Sequence, residues 1–271
     1  MPIVAGYFYF VHEAGEASRP PVILIHGAGG IHLSWPPQVR RISDQHIFAP
    51  DLPGHGKSEG IGRQTIEGYS DDVAAFMDAI QLKKAVMVGH SMGSAIALTL
   101  ALKHPKRVAG LGLIGGGTKL RVAPVILEGL GNPNAFLPTV QMINENSFGP
   151  QTPPRIIELA GKRMAETRQS VLYGDFLACN AFDVSGRLGK ITVPTFVMCG
   201  TEDRMTPLKN SGALRDEIAH AQLEVVDGAG HMVMLEQPDA AADLISRFME
   251  KFPRRARQKP APVSPPPQNE N

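Results

Sequence analysis

The stretch Ala85-Val86-Met87-Val88-Gly89-His90-Ser91-Met92-Gly93-Ser94-Ala95-Ile96-Ala97-Leu98 constrains the fold more than any other part of this chain. The apolar run Ala85 to Val88 reads as a buried strand, and the small and apolar residues from Ser94 onward read as a helix. A strand that passes into a helix across G-x-S-x-G turns so sharply that its central residue is strained. Glycines two residues before and after leave room for the strand and helix to approach. Such a turn holds the Ser91 hydroxyl up at the end of a sheet, with the Met92 N–H facing the same space. The pentapeptide alone is common by chance; the strand before it and the helix after it make it specific.

Elsewhere, short apolar runs alternate with helical patterns, the signature of a parallel sheet with helices on both faces. Val22-Ile23-Leu24-Ile25, Ile47-Phe48-Ala49, Gly110 to Ile114, Thr195 to Cys199 and Gln222 to Val226 read as its further strands. Tyr69, Val73, Phe76, Met77 and Ile80 repeat at helical spacing. A last helix starts at Pro238, a good first helical residue, and should bury Ala241, Leu244, Ile245 and Phe248. The alternation breaks between Thr118 and Lys190, where Pro124, Pro133, Pro138, Pro150, Pro153 and Pro154 punctuate a segment rich in large apolar residues. A plain crossover needs only about 30 residues. The spacing therefore predicts a helical cap over 119–189, inserted into an α/β core made of 1–118 and 190–252. From 253 to 271 prolines lie among polar and basic residues, a composition that cannot offset its ordering entropy and predicts a disordered tail.

Composition excludes several classes of function. The chain has 271 residues and a net charge of +1, and without the basic tail its body is slightly acidic, so no nucleic-acid partner is expected. No Cys/His cluster has metal-ligand spacing, and no G-x-x-x-x-G-K-[ST] or G-x-G-x-x-G leads into a helix. The two cysteines, Cys179 and Cys199, suggest a reducing compartment rather than a disulfide scaffold. With no long apolar segment and no basic leader, neither a membrane span nor a signal peptide is expected, and the predicted location is cytoplasmic.

A serine hydroxyl needs a base to take its proton. Of nine histidines, His231 has the fitting context: Asp227-Gly228-Ala229-Gly230-His231-Met232 follows a strand and precedes the last helix, and its glycines allow a loop that reaches over Ser91. His26 should support its own loop, and His90, on so tight a turn, should point elsewhere. The base must in turn be held in one tautomer by an acid. Asp203, in Gly200-Thr201-Glu202-Asp203, stands past the end of a parallel strand, where a side chain can reach the site. Glu202 is its nearest competitor and Asp227 a weaker one. The order Ser91, Asp203, His231 matches one of the known triad orders. Two N–H donors for an oxyanion come from Met92 and from the loop His26-Gly27-Ala28-Gly29-Gly30, with Ala28 the first candidate and Gly29 the alternative. Trp35, Met92, Met205 and Met232, sequence neighbours of these elements, are candidates to line a compact apolar pocket.

With Asp51-Leu52-Pro53-Gly54-His55-Gly56-Lys57-Ser58 and Gly228-Ala229-Gly230-His231 added, the chain resembles the α/β-hydrolase superfamily. The likeness falls in its branch of small carboxylesterases, lactonases, C–C bond hydrolases and cofactor-free haloperoxidase-like enzymes, over about residues 22 to 250. That resemblance implies a mostly parallel sheet flanked by helices, a cap, and no metal or organic cofactor. It implies a serine hydrolase acting on a small carboxylic ester through an acyl-enzyme, or on a lactone such as an N-acyl-homoserine lactone. Serine at position 91 argues against epoxide hydrolases and dehalogenases, which carry aspartate there. C–C hydrolysis would need polar cap residues for a substrate carboxylate, with Arg155, Arg163 and Arg168 available. A non-catalytic receptor on this fold would have no need of the intact serine, histidine and aspartate.

Overall fold

The apolar runs assemble side by side into one sheet. The structure, a computed structural model, describes residues 2–15 and 17–256. Eight strands lie in the order β1 (Ile3–Val4), β2 (Tyr7–His12), β5 (Ile47–Pro50), β4 (Val22–Ile25), β6 (Ala85–His90), β7 (Val108–Ile114), β8 (Thr195–Gly200) and β9 (Gln222–Val226). From β5 to β9 every pairing is parallel, and β1 and β2 add an antiparallel edge.

Side chains alternate across this sheet and are buried on both faces, which is why its strands read as unbroken apolar runs. Ile23, Ile25, Met87, Leu111, Leu113 and Val197 pack under α2 (Ile66–Ala79), α3 (Met92–Lys103) and α8 (Leu208–Glu217). Val22, Leu24, Val86, Val88, Phe196 and Met198 pack under α1 (Pro37–Arg40), α9 (Val233–Glu236) and α10 (Pro238–Met249). Helix α2 begins where the Thr65 hydroxyl accepts the Gly68 N–H at 3.1 Å, an N-cap that satisfies a donor the helix cannot. Helix α10 begins at Pro238, whose missing N–H costs nothing in the first turn. Strand β2 escaped the period-two reading because Tyr7-Phe8-Tyr9-Phe10 is aromatic on both faces. Phe8 and Phe10 are buried, while Tyr7 and Tyr9 cover Phe76 with ring centroids 5.6 and 5.2 Å away.

Four helices stand between β7 and β8: α4 (Pro124–Gly131), α5 (Phe136–Asn146), α6 (Pro154–Ala165) and α7 (Gln169–Ala181). Prolines open α4 and α6 at the position that tolerates them. The inserted helices share a small core of their own around Leu130, Val140, Ile143 and Leu172. Their last part does not stand apart from the sheet, since Ala178, Cys179, Phe182, Val184 and Leu188 join the core under α2 and α3. A bridge between Lys119 and Asp183 closes the neck of the insertion.

The expected tail starts later than 253. Phe252 is buried against α10, Arg254 Nη2 donates to Asp44 Oδ2 at 2.8 Å, and β10 (Arg255–Ala256) pairs antiparallel with β3 (Ala17–Ser18). Local backbone pairing thus orders residues whose composition alone promised none. The rest of the tail expectation, 257–271, lies outside the described residues.

Candidate active site

Ser91 takes φ 54° and ψ −116°, in the left-handed half of backbone space that a non-glycine residue rarely enters. Such a conformation costs about 1–3 kcal/mol and persists only where its surroundings enforce it. Here the Ser91 N–H donates to Ile114 O at 2.8 Å, and its carbonyl accepts from the Ser94 N–H at 2.9 Å and the Ser94 hydroxyl at 2.7 Å. A Cβ at Gly89 would collide with the Gly93 carbonyl, and one at Gly93 with the Ile25 carbonyl. Gly89 is therefore required by the crossing of β6 and α3, and Gly93 by the close approach of α3 to β4.

His231 and Asp203 meet across the ends of β8 and β9. His231 Nδ1 lies 3.0 Å from Asp203 Oδ2 and 3.2 Å from Oδ1. Both side chains are buried. Asp203 Oδ1 also accepts the N–H groups of Met205 and Thr206, at 3.0 and 2.8 Å, and Oδ2 the Thr206 hydroxyl at 2.9 Å. Burial pushes the Asp203 carboxyl up, but His231 and the Thr206 donors more than offset this and hold it below the usual carboxylate range. An ionised carboxylate only accepts, so His231 carries its proton on Nδ1 and leaves Nε2 as the basic nitrogen. Glu202 and Asp227, the competing acids, are exposed and do not touch His231. Gly115, at φ +56°, makes room: a Cβ there would lie 3.0 Å from His231 Nδ1.

The candidate oxyanion loop is fixed from two sides. Leu52 N–H donates to His26 Nε2 at 3.0 Å, so the ring proton sits on Nδ1, which donates to Gly27 O at 2.8 Å. Burial, then His55, lowers the His26 pKa to about 4, so the ring is neutral. Gly30 N–H also donates to Gly27 O, at 3.0 Å. With that carbonyl held, the trans peptide aims the Ala28 N–H the opposite way. Gly29, the alternative donor, is committed elsewhere, since its N–H donates to Asp175 Oδ2 at 2.8 Å. Among the described residues the N–H groups of Ala28 and Met92 have no acceptor.

Asp175 of α7 carried no sequence signal, having neither a motif nor a neighbour of known role. It is fully buried, and besides Gly29 it accepts from His55 Nε2 at 2.8 Å and from the Tyr69 hydroxyl at 2.5 Å. Burial would lower the His55 pKa, but the Asp175 carboxylate more than offsets it and raises the ring above its ordinary range. Removing one partner from a buried charged pair costs about 3–5 kcal/mol. Asp175→Ala is therefore expected to lose about that much stability in urea denaturation, and Asp175→Asn distinctly less. A raised folded-state histidine pKa contributes stability that is complete below the unfolded value and fades as pH rises through the folded one. This slope in Tm should be present in the parent and flattened in Asp175→Asn. A loss below about 1 kcal/mol for Asp175→Ala would contradict the assigned network.

A second anchor joins the insertion to the His231 loop. Ser147 O accepts the N–H groups of His231 and Met232 at 2.9 and 3.1 Å. Glu236 takes the Gly230 N–H on one oxygen, and the Gly149 N–H and Thr152 hydroxyl on the other. His90 does not point away from this region. Its ring lies 4.7 Å from that of His231, and its Nε2 donates to His231 O at 3.0 Å. Burial, then His231, lowers its pKa to about 3, so it stays neutral. The tight turn moves Ser91 out of the strand line but leaves His90 within β6.

Ser91, His231 and Ala28 open on one cavity of about 550 Å³ between the strand ends and the inserted helices. Met205 and Met232 line it, as do Ile126, Met164 and Phe176. Trp35 does not: it is fully buried on the opposite face of the sheet among Val39 and the α10 side chains, because the chain dives under β4 before α1. The Met92 side chain is likewise in the core, since the residue opens α3 and presents only its amide toward Ser91. The wall is also less apolar than the sequence suggested. Arg163 reaches it, whereas Arg155 is exposed outside it and Arg168 donates to Gly60 O.

A nucleophile turn, an imidazole oriented by a carboxylate and two uncommitted amides at the carboxyl ends of parallel strands can activate a hydroxyl and stabilise an oxyanion. The fold and this arrangement define a class, hydrolases built on a mostly parallel sheet. The model of the alpha/beta hydrolase family matches residues 22–244, and the chain belongs to that family. It is 26% identical over 250 residues to 3-oxoadipate enol-lactonase 1 of Acinetobacter baylyi, covering 88% of this chain and 91% of the relative. It is 31% identical over 263 residues to 2-hydroxy-6-oxo-6-phenylhexa-2,4-dienoate hydrolase of Burkholderia cepacia, covering 88% and 90%. A solved thermophilic esterase superposes with a TM-score of 0.78 at 30% identity, over 92% of this chain and all of the other. These relatives share hydrolysis and differ in substrate; the chain is a hydrolase. No helix among the described residues is long and apolar enough to cross a membrane.

Proposed function

We propose that the chain hydrolyses small carboxylic esters through an acyl-enzyme. The observation that carries this reading is the His231–Asp203 pair at 3.0 Å, whose imidazole opens with Ser91 on the cavity that Ala28 also lines. Ser91 Oγ attacks the carbonyl carbon while His231 Nε2 takes its proton, and the oxyanion forms against the Ala28 and Met92 N–H groups. Collapse breaks the bond to the leaving alcohol, which takes the proton back from His231. Water, deprotonated by the same nitrogen, then attacks the acyl-enzyme and releases the acid and Ser91. Asp203 stays ionised throughout, in keeping with its lowered pKa. The inserted helices act as the cap of the pocket.

A lactone is the second reading, supported by the enol-lactonase relative, because the same attack opens a cyclic ester. The test is a panel of chromogenic esters of rising acyl length, run beside homoserine lactones. A cavity of about 550 Å³ is of ordinary ligand size. Each added methylene should raise kcat/KM several-fold, from about 0.8 kcal/mol per buried methylene, until the pocket fills near eight carbons or so. Faster opening of lactones than of any ester in the panel would favour the second reading. Efficient hydrolysis of long-chain triglyceride emulsions with interfacial activation would overturn both.

A further inference from the structure

Among the described residues five charged ones line the cavity, and all are basic: Lys119, Arg121, Arg163, Arg204 and Lys209. No described aspartate or glutamate lines it. The chain as a whole holds 27 basic and 26 acidic residues, so a wall drawn without regard to charge would mix the signs. Two of the five are accounted for by the fold. Arg121 pairs with Asp183 at 3.2 Å and donates to Asn180 O, which braces the neck of the insertion. Half-buried Arg163 donates to Leu33 O at 3.4 Å.

Of the other three, Lys119 stands across its bridge from Asp183 and helps hold that carboxyl below its usual range without closing an ion pair, while Arg204 and Lys209 have no such explanation. Lys119, Arg204 and Lys209 are exposed, and among the described residues none has a carboxylate within 4.0 Å. They come from neighbouring strand ends: Lys119 follows β7, while Arg204 and Lys209 follow β8. The loop after β7 meets the first turn of α8, since a Cβ on Gly117 would lie 3.1 Å from Asn210 Cβ. Lys209 also sits in the first turn of α8, which has no acidic residue, where the helix dipole disfavours a cation. His231 and Asp203 are buried and these three cations exposed, so the reacting groups form the floor and the cations the mouth.

We propose that the substrate carries an anionic group at the end remote from its scissile carbonyl, held at the cavity mouth by Lys119, Arg204 and Lys209. This rests on the ester or lactone reading above and names its substrate class: the ester or lactone of a diacid, or of an acid bearing a phosphonate or phosphate. The apolar stretch of wall formed by Ile126, Met164 and Phe176 suits the carbon chain between the two ends. A cleft lined by one sign of charge also raises the local concentration of oppositely charged substrate and speeds its arrival.

The test compares three para-nitrophenyl esters of equal chain length: a neutral acyl chain, one ending in carboxylate and one ending in phosphonate. At low ionic strength kcat/KM for at least one anionic ester should exceed that of the neutral ester by about tenfold or more. The advantage should shrink toward parity in about 0.5–1 M salt, where exposed charges are screened within a few ångströms. Combining Lys119→Gln, Arg204→Gln and Lys209→Gln should bring the ratio toward one. The ratio is measured on a single preparation, so a reduced folded fraction in the variant cancels. The better of the two anions identifies the terminal group. Neutral esters turned over with no anionic advantage would overturn this proposal alone, and so would an advantage that the triple variant keeps. No turnover of any ester or lactone would overturn the ester reading and this one with it.

Discussion

Ser91→Ala is expected to lower kcat on any ester the chain accepts by about 10⁴–10⁶-fold, with the melting temperature essentially unchanged. The size of the loss is what separates a nucleophile from a pocket residue, because a packing defect or a lost binding contact costs one to three decades at most. The elbow adds a second readout. Position 91 is strained at φ 54°, and alanine inherits that strain while glycine does not. Ser91→Gly should therefore be as inactive as Ser91→Ala and melt above it. Retention of more than about a tenth of the parent activity in either variant would end the acyl-enzyme mechanism.

Asp203→Asn should cost about 10⁴-fold in kcat. An amide at this position would offer its N–H₂ to His231 Nδ1 and turn the ring so that Nε2 carries the proton, where it can no longer accept one from Ser91. It would also disturb the acceptor that holds the Met205 and Thr206 amides. Glu202→Gln should stay within a few-fold of the parent, since Glu202 is exposed and touches neither Asp203 nor His231 through its side chain. Steady-state kinetics of the pair decides between neighbours in sequence, and reversed severities would transfer the orienting role to Glu202.

The parallel strands, the Ser91 turn and the positions of Asp203 and His231 were legible because each is governed by local rules. Strands buried on both faces write apolar runs, and a strand–turn–helix of this sharpness writes its glycines into the sequence. What escaped was decided by tertiary approach. Trp35 is a sequence neighbour of the Gly-rich loop, yet the chain carries it through to the far face of the sheet. His90 is adjacent to Ser91, yet stacks on His231 from within β6. Asp175 lies far along the chain from Gly29, His55 and Tyr69, and no periodicity announces that a helix brings a carboxylate to all three. The cations at the cavity mouth are likewise scattered in sequence and converge only when the loop after β7 meets the first turn of α8.

The two anchors of the inserted helices bear on how readily specificity could be redesigned by recombination. The insertion supplies about half of the cavity wall and looks like the natural unit to exchange between relatives. It is not a free-standing cassette. A transplanted insertion without a carboxylate at position 175 would strand the His55 and Tyr69 donors in the interior and loosen the Gly29 end of the candidate oxyanion loop. One without the turn at 147–152 would release the His231 loop from Ser147 and leave Glu236 with one of its three donors. Chimeras should therefore succeed only when these few anchoring residues travel with the core they serve. Point changes at cavity residues outside both anchors, such as Ile126, Met164 and Arg204, are the more tractable route to a new preference.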